Sequence, residues 1–479
     1  MADMFFGLMA LALLGAIGFG AFVAIRAGLT RLYGNTDNPL LLNRIALILK
    51  GSLTLMLCLL AIIPLTLVQD LASDRERLYR DVVRDIGQAW GEEQVLAGPV
   101  LVLPYRYSVL TEETSADGSR KQRRSSIEDE LLILPEHLKM KASLNHDFRD
   151  RGIYHSLVYQ SGVEGQAEFS LNLPLISNLE AYEFNRARLV FGLSSNQAID
   201  GVDNFVVSGD GLSSHGSLMS GTGLAQEALS RGFHQPVQLG QNTAPFKVDF
   251  KLRLRGSQGI GFLPLGEDSR FELNADWPHP SFNGILPEAR EINANGFNAN
   301  WHISHLSRNY PQIMRASQPM DLMETRAHTQ LFEPVTHYGK VERAIKYGLL
   351  FVALTFILLL MFELGQGQAL SALQYLLVGA AMTLFYLLLL ALSEHLSFGQ
   401  AFMIAAAVPV LSIPAYVASA TQSYARGSIM LAMLLGLYGL LYSILRLEDY
   451  ALLMGSMLLV TVLLVLMYLT RRQGKCLPQ

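Results

Sequence analysis

Phe246-Lys-Val-Asp-Phe-Lys-Leu-Arg-Leu-Arg255 alternates without a slip, apolar at every even position and charged at every odd one. Successive side chains of a strand point to opposite faces, so this segment has one packed face and one wet face. Wound as a helix, the same residues would scatter charge around the whole circumference. Working outward, shorter period-two patterns recur at 101–110, 131–144, 154–159, 167–173, 271–275 and 297–303. Asp117-Gly118, Ser161-Gly162 and Asn295-Gly296 supply turn signals between them. Strands with no long helical pattern between them predict a mainly antiparallel sandwich or barrel rather than a βαβ fold.

Beyond this middle region the composition changes abruptly. The chain has 479 residues and is 51% hydrophobic, yet 62 of its 78 charged residues lie between Asp70 and Arg343. The flanks are apolar instead. A bilayer core needs about 20 apolar residues of helix, and runs at 5–25, 45–68, 347–362, 373–392 and 450–469 meet that need. A sixth stretch, interrupted by Pro409, Pro414 and Thr421-Gln-Ser423, divides into 402–420 and 429–445. The pattern predicts a polytopic α-helical bundle of seven spans with a large β domain inserted after the second. No basic residue precedes the first run and its apolar core is long, unlike a cleaved signal peptide.

Basic residues in short loops mark the cytoplasmic side. Arg26, Arg31 and Arg44 lie between the first two runs, and Arg471, Arg472 and Lys475 follow the last. The expected organisation is an N-terminal span and cytoplasmic loop at 1–44, a span at 45–68 and a periplasmic, mainly β domain at 69–345. A five-helix bundle at 346–470 and a cytoplasmic tail at 471–479 complete it. Residues 70–90 read as an amphipathic helix leading out of the second span, with Leu71, Leu78, Val82 and Ile86 on one face. The net charge of −4 gives no basic face for nucleic acid. The central domain contains no cysteine, so packing rather than disulfides must hold it.

The residues offer little recognisable chemistry. No Gly-x-Ser-x-Gly elbow, phosphate loop, His-Glu-x-x-His or Ser-x-x-Lys pattern occurs. The glycine-rich stretch 208–223 reads as a flexible loop. Ser214, His215 and Ser217 are neighbours in sequence, which is not triad geometry. His279, His302 and His305 are read as structural or surface residues, because His302 and His305 differ in strand parity unless a strand ends between them. Arg120, Lys121, Arg123 and Arg124 read as a solvated hairpin tip. Trp277-Pro-His-Pro-Ser-Phe-Asn-Gly284 has two readings: a rigid corner that plugs the core, or a recognition loop carrying Trp277, His279 and Phe282. The corner is preferred. No cofactor or metal is expected, and no charged residue sits in the middle of a span, although Lys50 lies just inside the second.

The deduced topology gathers charges at one membrane face. Glu394 and His395 close one span, Arg446, Glu448 and Asp449 join the last two, and Arg343 precedes the third. They read as a polar collar of helix ends. The sharper expectation is a docking surface between bundle and domain.

Several segments resemble the bacterial CreD family of inner-membrane proteins from about residue 44 onward. They are Gly98-Pro-Val-Leu-Val-Leu-Pro-Tyr105, Trp277-Pro-His-Pro-Ser-Phe282 followed by Gly296-Phe297 and Trp301, and Val341-Glu-Arg-Ala-Ile-Lys-Tyr-Gly-Leu-Leu-Phe351. Gln374-Tyr-Leu-Leu-Val-Gly379, Phe385-Tyr-Leu-Leu-Leu-Leu-Ala-Leu-Ser-Glu-His395 and Glu448-Asp-Tyr-Ala-Leu-Leu-Met-Gly-Ser456 extend the likeness. The resemblance implies a multi-pass protein of the bacterial inner membrane, associated with envelope integrity and with a two-component response to envelope or β-lactam stress. It implies no reaction or cofactor. The expected role is therefore non-catalytic, the domain contacting an envelope protein, lipid or glycan. The alternative is a membrane-bound enzyme or transport accessory acting on an envelope lipid or glycan. Against the family pattern, the run at 5–25 is additional, the tail departs after Arg472, and 317–334 is long.

Overall fold

The computed structural model describes residues 39–446 apart from 115–119, 215–216, 241–242, 319, 332–335 and 365–369, together with 453, 455–457, 460, 464 and 467. The expected span at 5–25, most of that at 450–469, His215 and the basic tail lie outside the described residues. The chain divides into two compact units, Tyr79–Pro334 and the remainder, Met1–Leu78 with Val335–Gln479.

In the first unit, β1 Gln94–Thr114, β2 Arg120–Ile133, β3 His137–Arg151, β4 Tyr154–Phe169, β5 Leu179–Tyr182 and β6 Arg188–Leu193 come first. They are followed by β7 Ile199–Ser208, β8 Leu212–Ser214, β9 Met219–Ser220, β10 Gly232–Leu239, β11 Phe246–Ser257 and β12 Gly259–Phe262. The last six are β13 Asp268–Ala275, β14 Pro280–Gly284, β15 Ala289–Asn293, β16 Gly296–Ser304, β17 Ile313–Arg315 and β18 Ala327–Leu331. The larger sheet runs β14-β18-β12-β1-β6-β10-β8, with β2 and β5 added on β1, β17 on β2 and β9 on β10. The second sheet runs β15-β16-β13-β3-β4-β11-β7. Pairing is antiparallel except for β1 with β12 and β3 with β13.

The two sheets meet through their apolar faces. Phe191 of β6 lies 5.1 Å from Phe250 of β11, and Phe262 of β12 stacks on Phe271 of β13 at 5.1 Å. The alternating decapeptide is the body of β11, bonded to β4 on one side and β7 on the other. Its even positions Val248, Phe250, Leu252 and Leu254 are each no more than 2% exposed. Burying each such side chain contributes roughly 1.5–3 kcal/mol. Its odd positions carry the charges to water.

Three segments differ from the sequence reading. The run 131–144 is not one strand: β2 ends at Ile133 in the larger sheet and β3 begins at His137 in the smaller one. Pro135, which has no N–H for a ladder, stands where the chain changes sheets. Ser161-Gly162 is not a turn, because β4 runs straight through it, with Gly162 facing Ser143 and Arg253. The stretch 208–223 is not wholly loop; it contributes β8 and β9 to the edge of β10. Asn295-Gly296 does turn the chain, joining β15 and β16 with Asn293 opposite Gly296.

The second unit is helical. Its described helices are α1 Pro39–Leu60, α2 Ile62–Trp90, α3 His337–Lys346, α4 Gly348–Leu364, α5 Ala372–Ser393, α6 Phe398–Ala420 and α7 Tyr424–Arg446. Helix α2 continues past Leu78 into the β unit. Four described stretches are long and apolar enough to cross a membrane: Lys50–Trp90, α5, α6 and α7. A fifth appears if α3 and α4, bent by 40° at their junction, form one broken span. The irregularity between α1 and α2 falls at Ala61, where Pro64 withholds the N–H that would bond the Leu60 carbonyl. Helices α6 and α7 approach closely at Gly427, where an added Cβ would lie 2.7 Å from Ala418 Cβ and 3.0 Å from the Pro414 carbonyl. Small residues serve this purpose in membrane bundles.

Candidate functional site

The proline-bracketed segment divides between two environments. From Pro280 onward it is strand β14, at the end of the larger sheet, antiparallel to β18. Proline fits the first residue of an edge strand, because no ladder partner needs its N–H. The expected corner is an edge strand from Pro280 onward, and Trp277 and Phe282 both pack, partly buried, against the core. Phe282 packs edge-on against Phe297 at 5.8 Å and Trp301 at 5.9 Å, at the margin of the core. Trp277 lies elsewhere, beside His146 at 5.4 Å, Phe148 at 6.1 Å and His279 at 5.9 Å. Asp276 holds this cluster to β3, accepting from the His146 backbone N–H at 2.8 Å. Sequence spacing could not join Trp277 to His146, because the contact comes from the parallel pairing of β13 with β3.

Strand β16 does end between His302 and His305. His302 Nε2 lies 2.6 Å from Asp268 Oδ1, and His305 instead faces Glu267 at 3.8 Å. Arg270 and His137 also approach Asp268, at 3.2 and 3.8 Å. No grouping of three or more His, Cys, Asp or Glu suited to a metal occurs among the described residues. On the same sheet face, the Asn274 hydrogen bond and then the Lys141 charge hold the Glu272 carboxyl below its usual range, against partial burial.

In the helical unit, Glu394 follows α5 as its C-cap. Its carboxylate accepts from the Tyr338 hydroxyl at 3.3 Å and faces Arg75 Nε at 3.6 Å. Arg75 belongs to α2 and Tyr338 to α3, the helices on either side of the β unit in sequence. Of the other expected docking residues, Arg343 sits in the last turn of α3 and Arg446 ends α7. His395 is exposed beyond α5, and Glu448 and Asp449 lie outside the described residues.

One polar centre escaped the sequence reading. Glu363, in the last turn of α4, is 3% exposed at its side chain and pairs with Lys50 of α1 at 2.5 Å. Tyr375 of α5 donates to the same carboxylate at 3.2 Å. Glu363 lies one residue past the apolar run that the sequence reading ended at Phe362, and its burial was not visible there. A buried carboxylate needs such partners.

With this geometry in place, comparison with known proteins is informative. Residues 46–474 match the family described as inner membrane protein CreD. The chain belongs to the CreD family. The inner membrane protein CreD of Escherichia coli strain K12 is 31% identical over 418 residues, covering 86% of this chain and 90% of that relative. The CreD match takes in Lys50, Glu363, the whole β unit and the Glu394 contacts. It names a membrane protein and indicates no reaction.

Proposed function

We propose that this CreD-family member is a non-catalytic inner-membrane protein that supports envelope integrity, or an envelope stress response, through a periplasmic β unit. The observation that carries the reading is the Glu394 clasp. One carboxylate holds Arg75, on the helix that leads into the β unit, and Tyr338, on the helix that leads out of it. A partner, lipid or polymer that loads the β unit would pull on one helix or the other and change which of them Glu394 holds. Interfaces of this kind switch between discrete packings rather than deform smoothly. His395, Arg343, Arg446, Glu448 and Asp449 are proposed as the surrounding collar of helix ends. Basic residues at Arg26, Arg31, Arg44 and 471–475 support the placement, since they mark the opposite, cytoplasmic side.

The test is complementation of cells lacking their own copy, scored by survival under a β-lactam and by leakage of a periplasmic marker. Wild type is expected to restore both. Glu394→Gln, which keeps shape and loses charge, is expected to restore neither at equal membrane abundance. Full rescue by the variant would remove the clasp from the mechanism, and no rescue by wild type would defeat the envelope reading itself.

A further inference from the structure

The solvent face of the smaller sheet encloses a groove of about 840 Å³. Its charges are arranged in cross-strand rows. In one row, strand register sets Asn204, Lys251, Glu164, Lys141, Glu272 and Asn300 side by side. Signs alternate along it, and Lys141 meets Glu272 at 3.2 Å. Opposite charges facing across a ladder stabilise a sheet. The adjacent row breaks this rule. Register there sets His302 beside Arg270, Arg270 beside Lys139, and Lys139 beside Gln166.

Two cations thus face each other directly, an arrangement that destabilises a sheet. Asp268 is shared between Arg270 and His302, at 3.2 and 2.6 Å. Gln166 is turned toward Asp249, donating at 2.7 Å. Glu168, a further carboxylate of β4, is held by Lys247 at 2.6 Å. The Lys139 ammonium makes no ion pair or side-chain hydrogen bond with another described residue. The groove is thus balanced in charge overall, and Lys139, which acts on Glu168 only through space, is a cation whose ammonium stays open to a ligand beside Arg270.

The geometry points to a binding site for a carbohydrate bearing one phosphate or carboxylate, its anion seated between Lys139, Arg270 and His302. Charge-assisted hydrogen bonds to such oxygens are the strong ones, and Arg matches their planar spacing. The rest of the groove decides what carries the anion. The apolar residues beneath its floor, Met140, Phe250, Phe271 and Trp301, are each no more than 3% exposed, so these side chains offer no open hydrophobic pocket for an acyl chain. The interior strands have their backbone ladders filled on both sides, which excludes recognition by strand addition. What remains are amide and charged groups, Gln166, Asn204, Asn300 and the Lys141–Glu272 pair, suited to hydroxyls.

Binding does not depend on which side of the membrane the unit occupies, so its failure is separable from failure of the proposed role. Purified full-length protein in detergent is titrated calorimetrically with glucose 6-phosphate, glucuronate, glucose and inorganic phosphate at low salt. At least one acidic sugar should bind at least tenfold more tightly than glucose and than phosphate, and the preferred one identifies the anion. Lys139→Ala and Arg270→Ala should each weaken it at least tenfold, while Arg253→Gln, on the same face but outside the groove and paired with Asp203, leaves it unchanged. Melting of the exposed Lys139→Ala variant should match wild type. Equal binding of glucose, no binding of either acidic sugar, or retained affinity in Lys139→Ala would overturn the site. Inorganic phosphate binding as tightly as the sugar would overturn its carbohydrate character.

Discussion

His328 is 4% exposed, and its Nε2 lies 2.7 Å from Glu93 Oε1. Strand β18, which carries the histidine, and β1, which begins just after Glu93, flank β12 on opposite sides. Gly261 stands directly opposite His328 across the β12–β18 ladder, leaving room for the ring. The His328 contact holds the Glu93 carboxyl below its usual range, against the opposing effect of burial. A depressed folded-state value means stability that is complete above the ordinary carboxylate range, about pH 4.3, and lost as pH falls through the lower folded value. The β unit should therefore lose melting temperature on acidification below that range, and Glu93→Gln should flatten the loss. An identical acid profile in the variant would show the pair to be irrelevant. At neutral pH His328→Ala should cost about 1–3 kcal/mol, the usual penalty for stranding a partly buried polar partner, read as a lower melting temperature. Sequence reading weighed His279, His302 and His305 and passed over His328. Nothing near residue 328 announces its burial; that follows from pairing with strands 43 or more positions earlier in the chain.

Among the elements, legibility followed the range of the forces. β11 could be read from ten residues because both its faces are decided locally, by alternation. The switch between sheets at Pro135 was hidden, since β2 and β3 share one apolar pattern, β2 pairing with β1 and the distant β17 and β3 with β4 and the distant β13. The membrane helices were legible as apolar runs, and their contacts were not. Lys50 and Glu363 are 313 positions apart, and each looks like an ordinary helix-end charge until α1 and α4 pack together. Removing one partner of a buried pair leaves an uncompensated charge and costs roughly 3–5 kcal/mol, whereas removing both with apolar residues can be nearly neutral. Lys50 is 36% exposed at its side chain, which lowers the expected cost. Lys50→Met should thus destabilise the detergent-solubilised bundle, and adding Glu363→Leu should recover most of the loss. Additive damage in the double variant would mean that the two residues act separately. Gly427→Leu addresses another contact: with α6 this close, it should lower bundle melting and leave the β unit unaltered.

For the molecule as a whole, the segregation of charge was the most informative feature. It separated an apolar helical unit from a charged β unit before any pairing was known, because a bilayer and water accept opposite surfaces. What it left open is the side of the membrane, since that depends on a few basic residues rather than on packing. Arg26, Arg31 and Arg44 favour a cytoplasmic first loop, while Arg75, Arg77, Arg80 and Arg84 lie in the C-terminal half of the Lys50–Trp90 stretch, past its apolar part. The second group interleaves with Asp74, Glu76, Asp81 and Asp85 on one long helix, and two of its members pair locally, Arg77 with Asp74 at 3.8 Å and Arg84 with Asp81 at 3.6 Å. Basic residues at the head of a long segment weigh less in orientation than those of a short loop, so the first loop should decide. The cysteine content makes the prediction easy to test: the chain's two cysteines are Cys58 and Cys476, and neither lies in the β unit. With both replaced by serine, a single cysteine placed at Leu175, which is fully exposed, becomes a clean reporter. A membrane-impermeant maleimide added to cells with only the outer membrane permeabilised should label it to the extent reached after full lysis. Labelling that appears only on lysis would place the β unit in the cytoplasm, and the Glu394 clasp would then have to be driven from that side.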